Sequence, residues 1–194
     1  MVKSTCLALA VLFGLSAVSA HAQDVPTLTI YTYDGFAAEW GPGPQLSAAF
    51  EPVCGCKLNW VAADSSIGTL RRVQLEGATT EADLIVGLDT AIAGEARATG
   101  LFADHGLTLD KLDLPEAWAD AQFVPFDYSH FAFMYDTDRT ATPPKSFEEL
   151  IAMPDDFKIA IQDPRSATPG LGLVLWIKAA YGDRAPEIWA GLKP

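Results

Sequence analysis

Few residues in this chain have the types and spacing that covalent chemistry needs. Past residue 22, the only histidines are His105 and His130. A Ser-His-Asp arrangement requires a histidine set against an exposed nucleophile. No G-x-S-x-G turn is present to offer one. No H-E-x-x-H run or Cys/His cluster has metal-ligand spacing. His130 lies in an aromatic run, where a hydrogen-bonded structural histidine is expected. Enzyme activity is therefore not expected, and no catalytic residue, metal or cofactor is assigned. Cys54 and Cys56 flank Gly55. In an oxidising compartment they read as a local structural disulfide; free thiols and metal ligands are the alternatives.

Reversible binding has better candidates. Four segments combine rings, carboxylates, hydroxyls and helix starts: Tyr33-Asp34-Gly35 with Trp40, residues 63–66 with Ser65 and Ser66, Leu88-Asp89, and residues 163–172 with Ala167 and Thr168. Aromatic faces beside carboxylates suit a flat cation. Bare N–H groups at a helix start suit an anion. A ligand joining a cationic ring to an anionic tail would use both. Pro169-Gly170-Leu171-Gly172 is only a weak phosphate-loop match, because no Lys-Ser/Thr follows Gly172.

These segments need a scaffold, and the pattern supplies one. Residues 25–33 (VPTLTIYTY) and 57–62 (KLNWVA) alternate as strands. Residues 82–87 (ADLIVG) form a continuous apolar run, the pattern of a strand covered on both faces. Between them, the Gly-Pro-Gly-Pro run cannot be helix interior, yet Pro44 suits a first helical turn, and residues 45–51 read as a helix. A second helix, capped by Ser65 or Ser66, carries Ile67, Leu70 and Val73 on one face. Residues 91–99 read as a third helix, stopped by Gly100. This βαβαβα order predicts a doubly wound sheet. Ligands of such sheets bind beyond the carboxyl ends of the strands, where the four segments fall.

Residues 123–135 read as extended and aromatic, broken near Pro125. Ser146 and Glu149 form a capping box for a helix to about residue 152. Residues 158–162 (KIAIQ) read as a strand. Thr168 reads as an N-cap and Pro169 as the first residue of a helix running to Tyr181. Residues 185–192 could add one more.

The chain has 194 residues with 25 acidic against 13 basic side chains, a formal charge of -12. That excludes nucleic acid as the principal ligand, whose phosphates call for Lys and Arg. Residues 1–22 place Lys3 before an apolar run and end in Ala20-His21-Ala22, the pattern of a cleaved export signal. The expected product begins at Gln23 and is periplasmic.

Several runs carry a resemblance. Tyr31-Thr32-Tyr33-Asp34-Gly35-Phe36-Ala37-Ala38-Glu39-Trp40-Gly41-Pro42-Gly43-Pro44 resembles the opening of periplasmic thiamine-binding proteins, the capture subunits of thiamine ABC importers. Residues 82–89, 99–103, 123–128 and 162–173 resemble the same family in the same order, and the Cys54-x-Cys56 pair fits it. The resemblance implies a type II, two-lobed α/β binding protein with the second lobe incomplete: residues 1–22 a signal peptide, 23–127 the first lobe, 128–194 part of the second. The implied ligands are thiamine, thiamine phosphate and thiamine diphosphate, and the implied partner is a membrane permease. Tyr33 and Trp40 match aromatic residues at the cleft. Ser65-Ser66 stand where the family often has Asp-Gly, and Ala167-Thr168 where it often has Ser-Thr touching phosphate. Asp89 completes the expected first wall. The alternatives are an exported binder of a metal chelate, polyamine or inorganic anion, and a secreted hydrolase. Family members run well beyond the point matching Pro194, so the sequence reads as the front part of a longer one.

Overall fold

The computed structural model describes residues 25–192. The expected export signal lies outside the described residues. Strand β1 (Thr27–Tyr33) is built of Thr, Leu, Ile and Tyr, side chains that fill a pleated surface. Helices α1 (Asp34–Ala37) and α2 (Pro42–Cys54) lead to β2 (Lys57–Ala63). Helix α3 (Ser66–Glu76) returns to β3 (Leu84–Ile85), and α4 (Ala93–Ala98) follows. The strands form one parallel sheet in the order β2-β1-β3. Helices α5 (Phe147–Ile151), α6 (Thr168–Tyr181) and α7 (Ala185–Gly191) make up the rest. No helix among the described residues is long and apolar enough to cross a membrane.

Helix α3 follows directly from its sequence. Ser65 accepts the Gly68 N–H at 3.0 Å as N-cap, and Ile67, Leu70 and Val73 are buried. Leu70, Ile67, Ile92 and Ala96 form one core, joined by half-buried Phe102, Phe123 and Leu171. A second core contains Phe147, Leu173, Ile177 and Ile188, with Ile151, Ile159 and Ile161 packed against it. Helix α6 serves both cores, Leu171 in one and Leu173 with Ile177 in the other.

The structure corrects several element boundaries. Helix α2 starts at Pro42 and not at residue 45, with Pro44 in its first turn as expected. The first N–H groups of a helix have no intrahelical acceptor, so proline there removes nothing. Helix α4 is shorter than residues 91–99. The 82–87 run yields only a two-residue strand, and Leu84 is 49% exposed. It lies at an edge of the sheet and is not covered on both faces. Residues 158–162 form no strand. Their burial alternates, with Ile159 and Ile161 turned to the core, but no ladder partner lies beside them among the described residues.

At α5, Ser146 accepts the Glu149 N–H at 3.1 Å as expected, while Glu149 reaches back to the Lys145 N–H at 2.8 Å. At α6 the N-cap is Ala167, which makes no side-chain cap bond, and Pro169 lies in the first turn. Thr168 is already helical, its hydroxyl turned to another partner.

Candidate functional site

Tyr33 ends β1, and its ring lies against Gly87. A Cβ at residue 87 would meet the ring at 2.5 Å, and the backbone there has φ of +101°, so glycine is required on both counts. Gly35 separates Tyr33 from Trp40: a Cβ placed on it would come 3.4 Å from each ring. Gly41 holds the turn close, because a Cβ there would fall 2.3 Å from the Gly35 carbonyl oxygen. Tyr33, Trp40 and the backbone of Gly35 and Gly87 thus form one aromatic wall at the carboxyl end of β1. Ser66 lies beside Gly87. Trp40 is 82% exposed, its indole open to solvent.

Behind the wall, Phe36 is buried and meets Tyr33 edge-on at 5.9 Å. It also packs on Trp60 at 5.4 Å and on Phe126 at 5.8 Å. Phe126 is a member of this group that reading the sequence did not single out. Its place depends on a contact with Phe36 across 90 positions, and no local pattern signals that.

Ser65 and Asp89 are engaged by the protein itself. Ser65 caps α3. Asp89 accepts the N–H groups of Ala91 at 2.8 Å and Ile92 at 3.3 Å through Oδ1. Its Oδ2 accepts the Thr168 hydroxyl at 2.7 Å. Residues from two of the candidate loops therefore meet directly. Asp89 anchors the first turn of α6 to the loop after β3, within hydrogen-bond range of a helix N-terminus whose first turn holds no acid of its own. Ala167 gives only backbone to that turn.

Asp163 precedes it. The Arg165 guanidinium grips the Asp163 carboxylate, with contacts of 2.9 and 2.5 Å, and the Arg165 N–H adds another at 2.9 Å. These bonds lower the Asp163 pKa to about 2. Gly170 packs on this loop, where a Cβ would meet the Gln162 carbonyl oxygen at 2.3 Å.

His105 accepts the Leu107 N–H through Nδ1 at 2.8 Å and has Nε2 2.9 Å from the Asp120 carbonyl. Both ring nitrogens are used in holding a loop. His130 stands edge-on to Tyr128. Among the described residues, no three His, Cys, Asp or Glu side chains group to hold a metal. Cys54 and Cys56 are joined as a disulfide around Gly55, which ends α2 with φ of +64°.

This arrangement offers a flat ring the faces of Tyr33 and Trp40, while the start of α6 is already met by the Asp89 carboxylate. Comparison with known proteins bears on what it holds. A thiamine-binding periplasmic protein of Brucella suis biovar 1 is 46% identical over 182 residues, covering 94% of this chain and 54% of that protein. Proteins of the same name from Escherichia coli K12 and Haemophilus influenzae are 46% and 39% identical, covering 86% and 92% of this chain. A solved periplasmic thiamin binding protein superposes with a TM-score of 0.82 at 46% identity, over 87% of this chain and 53% of that one. The chain matches periplasmic thiamine-binding proteins in sequence and in fold. It spans about half the length of these relatives. No protein-family model matches it. The parallel sheet with helices between its strands is compatible with a type II binding-protein fold. The relatives are named as binding proteins.

Proposed function

We propose that this chain takes part in capturing thiamine in the periplasm for an ABC importer. The observation that carries the reading is the 46% identity to thiamine-binding periplasmic proteins along nearly the whole chain. The aromatic wall supports it. The thiazolium ring is a flat cation, and stacking on Tyr33 or the open Trp40 gains both contact area and cation–π attraction. Ser66 lies at the edge of the wall for a polar contact. Thiamine phosphate and diphosphate are included as ligands in this reading; the Thr168 hydroxyl already donates to Asp89, so their anionic end is left to backbone N–H groups. The protein supplies contacts only, and no bond is made or broken. Residues 23–127 carry the ring side of the site, and residues 128–194 carry the anion side. Residues 1–22 direct export and are removed.

Calorimetric titration with thiamine, its two phosphates, spermidine, ferric citrate and inorganic phosphate tests this reading. Binding restricted to the three thiamine compounds is expected. Tighter binding of any other panel member would overturn it.

A further inference from the structure

Cys54 closes α2, Cys56 leads into β2, and the two are joined across Gly55. The cross-link has little to hold. Closing so short a loop removes little freedom from the unfolded chain. Other bonds tie the same junction. The Gly55 N–H donates to the Glu51 carbonyl at 3.0 Å, and the Lys57 N–H donates to the Pro26 carbonyl at 2.8 Å. The Glu51 carboxylate accepts from the Lys57 ammonium at 2.6 Å and from the Leu58 N–H at 3.0 Å. Helix end and strand start stay together with or without the sulfur bridge.

The pair is also open to attack. Cys54 is exposed, as are Val53, Gly55 and Lys57 around it, and nothing lies within 4 Å of the place a Cβ on Gly55 would take. Partners for the reduced form are already in position. The Glu51 carbonyl oxygen lies 3.6 Å from Cys54 Sγ, an acceptor for an S–H that only the thiol has. The Cys56 N–H donates to the same sulfur at 3.1 Å and stabilises negative charge on it.

We propose that Cys54 and Cys56 are an exchange-active couple, reduced by dithiols and reoxidised within the folded chain, and not a structural cross-link. A donor thiolate attacks the exposed Cys54 Sγ. The S–S electron pair passes to Cys56 Sγ, which takes up a proton. The donor's second thiolate then attacks the donor sulfur of the mixed disulfide. Cys54 leaves with the electron pair, held by the Cys56 N–H, and on protonation donates to Glu51. Two electrons and two protons have passed to the pair, and the dithiol leaves as a disulfide. In an oxidising compartment the resting form is the disulfide.

The test incubates the chain with reduced and then with oxidised dithiothreitol. Samples are quenched in acid and alkylated with N-ethylmaleimide, and the peptide carrying Cys54 and Cys56 is quantified by mass. The expected result is reversible reduction in native buffer, within about tenfold of the rate in urea. The reduced chain, and the double variant Cys54→Ser with Cys56→Ser, should unfold within about 2 °C of the oxidised chain. Brief exposure to glutathione, a monothiol, should leave its adduct on Cys54. Native reduction slower than in urea by more than about tenfold would overturn the proposal, as would a larger fall in the unfolding midpoint; either makes the bridge structural. A pair isolated as thiols that does not reoxidise, or an adduct on Cys56, would overturn it too. Thiamine enters no arm, so the outcome is separate from the ligand reading.

Discussion

Tyr33 and Trp40 draw their geometry from glycines. Gly87 leaves room for the Tyr33 ring, in a backbone conformation that other residues rarely adopt. Gly87→Ala should therefore push the Tyr33 ring out of place and destabilise the fold by roughly 1–3 kcal/mol. Thermal or urea unfolding checks the magnitude, and an unchanged midpoint would mean the ring is not confined. Gly35→Ala should be milder, because its Cβ would sit at ordinary contact distance from both rings. Asp163 offers a titration test. Its carboxyl falls from an ordinary 3.8 to about 2, chiefly through the Arg165 guanidinium. The ionised form is favoured in the folded loop, so the loop's stabilisation is fully present above about pH 4. It fades as pH drops through about 2. Carboxyl NMR should place the Asp163 midpoint near 2, and Arg165→Ala should return it toward the ordinary value.

The elements nearest the wall were the most legible in the sequence. Residues 25–33 and 57–62 alternate, and they pair along their length in the parallel sheet. Ser65, Ile67, Leu70 and Val73 marked the cap and the buried face of α3 because both signals lie within one or two turns. Ser65→Ala should accordingly cost about 0.5–2 kcal/mol, the range for a lost N-cap, read from unfolding midpoints. Other features were illegible for physical reasons. A strand is defined by its neighbour, so KIAIQ could alternate correctly and still form no ladder. Pro42 and Pro44 are compatible with a turn and with a first helical turn alike. Thr168 has the side chain of an N-cap, yet its hydroxyl goes to Asp89, 79 positions away. Within the site, Tyr33 and Trp40 could be placed from their position at a strand end. Phe126 could not, because only the fold brings it to Phe36.

For the whole molecule, Tyr33 and Trp40 stand on either side of Gly35 after β1. The chain spans about half the length of the relatives it matches, and each tenfold of affinity corresponds to about 1.4 kcal/mol of contacts. Thiamine should thus bind the chain alone by roughly two or more orders of magnitude more weakly than it binds the Brucella suis relative.

The account's central claim is that thiamine stacks on the open wall formed by Tyr33 and Trp40. Titration followed by tryptophan emission tests it most directly, because Trp40 is 82% exposed and holds no core together. The account predicts saturable quenching by thiamine in the chain as it stands. Trp40→Ala should remove most of that quenching and weaken calorimetric binding by about 1–3 kcal/mol, with circular dichroism unchanged. Equal thiamine affinity with and without the Trp40 indole, in a protein of intact fold, would contradict it.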